Sequence, residues 1–281
     1  MNIYFKNLAV SFLLLTCMQS IAAITPYSQD FESMSLAPGG GQFELSELSV
    51  DGWQVGGNVF SGNPSGASQY GDYLYFYGFE PAPNSTSGSF SAVQAGDTTK
   101  DDTGTNYLMV YNDYNNSWAH EEGQIVNAVF AKETFISYED IGETLTFRFD
   151  AKRPKAIDDG VGGDSSHAVG NNCESICSSN AFIRTLDPAS GYQTSNIIIE
   201  ETTTISQTDW SSYTLSLELT DPLLIGQLLL VGFENFATNY ENSAVYYDNI
   251  SISTSAVPLP AGITLFLSGL VGLGLLRGRN A

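Results

Sequence analysis

The stretch Glu143-Thr144-Leu145-Thr146-Phe147-Arg148-Phe149-Asp150 places a large apolar residue at every second position and a polar one between. Successive side chains of an extended chain point to opposite faces, so a period of two describes a strand with one face in a core and one in water. Tyr213-Thr214-Leu215-Ser216-Leu217-Glu218-Leu219 repeats the pattern. Working outward, further strands are expected at Tyr73 to Tyr77, Tyr107 to Tyr111, Ile125 to Lys132, Phe182 to Leu186, Asn196 to Glu200, Leu228 to Phe233 and Ala244 to Ser253, separated by clusters of Gly, Asn, Asp, Ser and Pro. No amphipathic helical stretch of useful length and no internal repeat interrupts them. The fold class expected is all-β, a single two-sheet β-sandwich of the jelly-roll kind. Gly78 to Thr105 and Pro154 to Asn180 read as long loops, the second carrying Asp158, Asp159 and Asp164 without EF-hand spacing.

The two ends read differently from this body. Lys6 precedes an apolar run from Leu8 to Met18 and a small-residue exit at Ser20-Ile21-Ala22-Ala23, so residues 1–23 are expected to be a secretory signal peptide cut near Ala22 or Ala23. Thr16 before Cys17 disfavours a lipoprotein signal, which wants a small residue there. At the other end Val257-Pro258-Leu259-Pro260-Ala261-Gly262 forms a stiff spacer, because prolines one residue apart suit neither a helix interior nor a central strand. The uncharged run Ile263 to Leu276 follows, approaching the ~20 residues that span a bilayer, and Arg277 and Arg279 behind it favour a cytoplasmic C-terminus. Residues 24–256 are then the exported domain and residues 257–281 a membrane-seeking tail.

All 31 Asp and Glu lie in the body, with seven of the ten Lys and Arg, since Lys6, Arg277 and Arg279 fall outside it; the difference is a formal charge of −24. Nucleic acid and anionic membrane surfaces would be repelled, while solubility and divalent cation binding both suit such a composition. The body keeps two cysteines, Cys173 and Cys177, and an exported pair without further partners reads as one small disulfide. His120 and His167 do not flank it at zinc-finger spacing, and no βαβ pattern surrounds it as a thioredoxin-like redox site would require.

A search for catalysis finds little. With so many carboxylates any glycosidase pair could be nominated, no Gly-x-Ser-x-Gly elbow occurs, and both histidines stand in polar loops, so the chain is not expected to be an enzyme. The aromatic residues are more informative. Tyr70-Gly71-Asp72-Tyr73, Tyr107, Tyr111-Asn112-Asp113-Tyr114-Asn115-Asn116-Ser117-Trp118 and Asn239-Tyr240 set rings among Asp and Asn. Sugar recognition uses that mixture, a flat ring against the C–H face of a pyranose and acceptors for its hydroxyls. Tyr111, Tyr114 and Trp118 are the first choice for a carbohydrate-binding site.

Two resemblances bear on these readings. The tail, with its proline motif at Val257, Pro258, Leu259, Pro260 and Ala261, a Leu-Ser-Gly-Leu-x-Gly-Leu-Gly core from Leu267 to Gly274 and a basic end, resembles the PEP-CTERM sorting signal in its VPLPA variant. That resemblance implies a Gram-negative producer of exopolysaccharide, an exosortase-type processing enzyme as partner, transient anchoring in the inner membrane and a destination at the cell surface or in the extracellular matrix. The basic cluster Arg277-Gly278-Arg279 departs from the unbroken arginine run of that family. The edges of the body, Gln29-Asp30-Phe31-Glu32 with Asp51-Gly52-Trp53 and Val245-Tyr246-Tyr247-Asp248-Asn249-Ile250-Ser251-Ile252, are similar to jelly-roll carbohydrate-binding modules of the CenC type. In such modules the terminal strands lie side by side and an acidic residue of each helps hold a structural calcium, which nominates Glu32 and Asp248 as Ca2+ ligands. The expectation is an exported sandwich that binds polysaccharide, with a structural or adhesive surface protein as the rival.

Overall fold

The computed structural model describes residues 23–34, 47–62, 70–81, 91–95, 105–112, 123–153, 178–238 and 243–256. Alternation becomes burial along Glu143 to Asp150: Leu145, Phe147 and Phe149 are 0%, 0% and 1% exposed. They belong to β7 (Glu143–Lys152), whose antiparallel partners are β10 (Ser211–Leu219) and β12 (Ser243–Ala256). On the far side of β12 lie β5 (Asn106–Asn112) and β4 (Ser91–Ala95), and the short β1 (Tyr27–Gln29) also pairs with β12. These six strands form the first sheet.

The second sheet runs in the order β3 (Tyr73–Pro81), β2 (Trp53–Phe60), β6 (Ile125–Phe135), β11 (Leu228–Thr238), β8 (Ser178–Asp187) and β9 (Gln193–Glu201). From β5 onward the chain alternates between sheets, staying in one only for the β8–β9 hairpin. The spatial orders β10-β7-β12-β5 and β6-β11-β8-β9 that result are those of a jelly roll. One helical turn, α1 (Glu47–Val50), precedes β2 and buries Leu48.

Every strand expected from the sequence is present, and three more exist. The expected loop from Gly78 to Thr105 contains the end of β3 and all of β4, in which Val93 is buried. β1 and β2 were also not foreseen, and β12 continues three residues past Ser253 to Ala256.

Between the sheets the core is aromatic. Trp53 of β2 stacks on Phe130 of β6 at 4.4 Å, and Phe233 of β11 on Tyr247 of β12 at 3.6 Å, with Phe147 and Phe149 against Phe233. Tyr247 crosses from one sheet to the other with its hydroxyl satisfied by Ser179 Oγ at 3.0 Å and Thr202 Oγ1 at 2.8 Å, as a buried polar tip requires.

Candidate ligand-binding face

Strand register divides the second sheet cleanly. Trp53, Val55, Phe130, Ala181, Ile183, Leu229, Val231 and Phe233 enter the common core, so their neighbours in sequence occupy the outer face. There Val129, Ala131, Phe182 and Leu230 make a separate apolar cluster, with the Arg184 guanidinium 4.5 Å from the Phe182 ring centre.

Two rows beside that cluster mix rings, amides and charge. In one, register aligns Phe76, Asn58, Asn127, Phe236 and Ser178 across five strands. Tyr70 lies flat on Phe236, centroids 4.3 Å apart and 6° from parallel, and its hydroxyl is 3.0 Å from Ser178 Oγ. Phe60 joins this group against Tyr70, Tyr73 and Phe236. At the edge of the sheet Tyr73 and Phe76 remain 57% and 41% exposed. The adjoining row places Gly56, Val129, Glu234 and Asn180 side by side.

Glu234 is buried yet charged, and its carboxylate accepts from Arg184 Nη2 at 3.0 Å, Asn180 Nδ2 at 3.2 Å and Asn127 Nδ2 at 3.5 Å. Those donors meet the requirement that a buried charge be paired. Asn127, 3% exposed, has no hydrogen bond at its Oδ1. A buried amide oxygen without a donor is costly.

Of the residues nominated from sequence, Tyr111 sits on β5 opposite Ala244, while Tyr114 and Trp118 lie outside the described residues. The segment that holds them leaves β5 at Asn112 and enters β6 at Ile125, beside Phe60 and Thr238. Gly123, at its end, packs so closely on Gly62 that a Cβ on Gly62, where φ is +72°, would fall 1.9 Å from the Gly123 carbonyl oxygen. The loop therefore joins the sandwich at the end where Tyr70 and Phe236 stack. Cys173, Cys177 and the motif Val257 to Ala261 also lie outside the described residues. Among the described residues no helix is long and apolar enough to cross a membrane.

Glu32 and Asp248 come to the paired chain ends. β1 and β12 are antiparallel neighbours, Gln29 opposite Ile250, so the terminal strands do lie side by side. Glu32 is exposed and its Oε1 accepts from the Asn106 N–H at 2.7 Å. Asp248 is buried at a bulge, directly opposite Asp150, and its Oδ1 accepts from the Asn249 N–H at 2.7 Å. Phe31 and Asn249, next to the two acids, both take positive φ, +59° and +47°. Among the described residues no three or more His, Cys, Asp or Glu converge on a common point. The set fits a calcium ion in part: two facing carboxylates on β7 and β12 repel each other and would be relieved by a cation, while further ligands would have to be carbonyls or water.

A crevice of about 320 Å³ opens between the sheets, lined by Ile24, Pro26, Tyr27, Lys132, Leu229 and Ile252 among others. Lys132 is held there, its Nζ 3.6 Å from the Tyr27 ring centre and 3.9 Å from Asp51 Oδ2, donating also to the Asp51 carbonyl. Burial pulls the Lys132 ammonium below its usual range, with the nearby Asp51 charge opposing that shift. Tyr27 donates to Asp51 and accepts from Trp53 Nε1 at 2.7 Å. The arrangement reads as a structural staple for the first strand.

No protein-family model matches the sequence, and no curated protein matches it. Among solved structures the chain is similar to the enzymatically active domain of tailspike protein 4 of bacteriophage CBA120 (14% identity, 80% of this chain and 22% of that one, TM-score 0.37). It is also similar to a cyclase from Fischerella sp. TAU (13% identity, 85% and 98%, TM-score 0.42) and to a xylan-binding domain from Paenibacillus barcinonensis (10% identity, 83% and 95%, TM-score 0.36). The chain spans less than a quarter of the tailspike chain's length.

Proposed function

We propose that the chain is an exported β-sandwich that binds polysaccharide, without catalysis, through the outer face of its second sheet. One observation carries this reading. Phe76, Asn58, Asn127, Phe236 and Ser178 form a continuous row with Tyr70 stacked on it, setting flat rings beside amide donors and acceptors. A pyranose needs both, an apolar plate for its C–H face and polar groups for its hydroxyls. The exposed rings of Tyr73 and Phe76 offer the plate, and half-buried Asn58 beside them a polar group. Tyr111, on β5 of the first sheet, is with Tyr114 and Trp118 a second sugar contact in this reading, separate from that row.

Export follows from the leader at residues 1–23. The tail at 257–281, cut by an exosortase-type enzyme near Val257 to Ala261, directs the body to the cell surface or matrix, where exopolysaccharide is the glycan at hand. Glu32 and Asp248 hold a structural calcium at the chain ends, a role supported by the pairing of β1 with β12 and by Asp150 facing Asp248. Cys173 and Cys177 form a disulfide in this scheme. A glycan array probed with the body tests the binding claim. Retention of extended polysaccharides, lost on replacing Tyr73 and Phe76 together by alanine, is the expected result; an array without any retained glycan favours a purely structural surface protein.

A further inference from the structure

Among the described residues, Asp140 is a buried acid with no Lys, Arg or His beside it. It ends the helical turn Tyr138–Asp140 before β7 and is 1% exposed. Its Oδ2 accepts from the N–H and the Oγ of Ser137, both at 2.7 Å, and its Oδ1 accepts from the backbone N of Ile24 at 2.8 Å. Among the described residues no Lys, Arg or His pairs with it; Lys132 is engaged by Asp51 and Arg184 by Glu234. A carboxylate out of water is costly unless a positive charge accompanies it.

The atom facing Oδ1 belongs to the residue that follows the small-residue exit Ser20-Ile21-Ala22-Ala23. Burial also begins there, since Ala23 is exposed whereas Ile24 is 5% exposed and part of the core cluster. We propose that the leader is removed between Ala23 and Ile24 and that the new α-ammonium of Ile24 is the buried partner of the Asp140 carboxylate. This rests on the reading of the chain as exported. Hydrolysis of that amide leaves the carboxylate on Ala23 with the leader and the amine on Ile24, which takes up a proton. Cleavage precedes folding during export, so the bond need not be accessible in the folded domain. The mature terminus then closes the crevice end of the sandwich with an ion pair, and β1 is fixed by Asp140 just before it and by Asp51, which accepts from Tyr27 and Gln29 along it.

The pair predicts a pH signature. An α-amino group titrates ordinarily near 7.7 to 8.0; burial lowers that value, and the proposed direct pair with the Asp140 carboxylate, 2.8 Å from the Ile24 nitrogen, outweighs the lowering and raises it in the folded state. Its stabilisation is therefore complete below the ordinary value and is lost as the pH rises through the raised one. Tyr27, Lys132 and Glu133 line the same crevice and Tyr138 and Glu139 flank Asp140, so the comparison must keep all of them unchanged. Inserting one glycine between Ala23 and Ile24 does so, moving the ammonium one residue outward.

The test is to export the full chain with its own leader and to sequence the mature N-terminus. A start at Ile24 is expected. A start at Ala23 or earlier in a secreted chain overturns this inference and leaves the export reading standing; an uncut chain beginning at Met1 overturns both. Melting temperatures give the second arm. The mature chain should exceed the glycine-insertion chain by about 2 to 4 °C at pH 7, with the difference gone at strongly alkaline pH and absent in an Asp140→Asn background. Equal melting of the two chains at pH 7 overturns the ion pair.

Discussion

Tyr247 shows how much one side chain can link. It stacks on Phe233, touches Phe149 and gives its hydroxyl to Ser179 and Thr202, so it joins the two sheets by packing and by hydrogen bonds at once. Burial raises the pKa of its hydroxyl well above the ordinary 10, and burial with the Asp51 bond does the same for Tyr27. The folded chain thus keeps two protons that the unfolded chain releases above pH 10. Stability from this source is complete below that pH and falls as pH rises beyond it. Urea midpoints measured from pH 8 to 11 should hold level and then drop. Tyr247→Phe should be less stable at pH 8 by about 1 to 3 kcal/mol, from the donors and acceptors it strands, but should drop less steeply. An equally steep alkaline drop in the variant would show that Tyr247 is not the titrating group.

At the scale of elements, close packing within the second sheet sets the constraint. Gly232 of β11 faces Ala131 of β6, and a Cβ there would lie 2.1 Å from the Phe130 carbonyl oxygen and 2.7 Å from the Ala131 Cα. Both are backbone atoms that cannot turn aside. Gly232→Ala should cost about 1 to 3 kcal/mol by forcing the ladder apart, read as a lower urea midpoint; an unchanged midpoint would mean that β6 and β11 are not so closely apposed. The paired terminal strands make a second claim. Calcium should raise the melting temperature and Asp248→Ala should remove most of the rise, since binding to the folded state alone contributes roughly 2.7 kcal/mol at a hundredfold excess over Kd. A melting curve indifferent to chelator would dismiss the ion. These elements were unequally legible in the sequence. β7 and β10 alternate without a break, whereas β2 reads Trp53-Gln54-Val55-Gly56-Gly57-Asn58-Val59-Phe60, where glycines erase the apolar beat although Trp53, Val55 and Val59 are buried. β4 hides because its sequence, Ser91-Ala92-Val93-Gln94-Ala95, carries a single large apolar residue, Val93, which is buried. The binding row was invisible for another reason. Its members come from five strands far apart in the chain, and only register brings Asn58, Asn127 and Phe236 together. The local cluster at Tyr70 and Tyr73 was the one signal within reach.

For the whole molecule, the last described strand, β12, ends at Ala256, still paired with Glu143 of β7. Deleting residues 257–281 should therefore leave a folded body that escapes to the medium with an unchanged melting temperature; an unfolded product would make the tail part of the domain. A body of formal charge −24 also sets a bias among glycans, because acidic polymers are repelled at long range and neutral ones are not. The central claim is that the outer face of the second sheet binds polysaccharide. Isothermal titration of the mature body with the producer's exopolysaccharide, set beside the Tyr73→Ala, Phe76→Ala double variant, tests it most directly. Exposed rings contribute binding energy and little packing, so the account predicts heat of binding for the native protein, none for the variant, and melting temperatures within a few degrees of each other. Binding that survives intact in a folded double variant would contradict it.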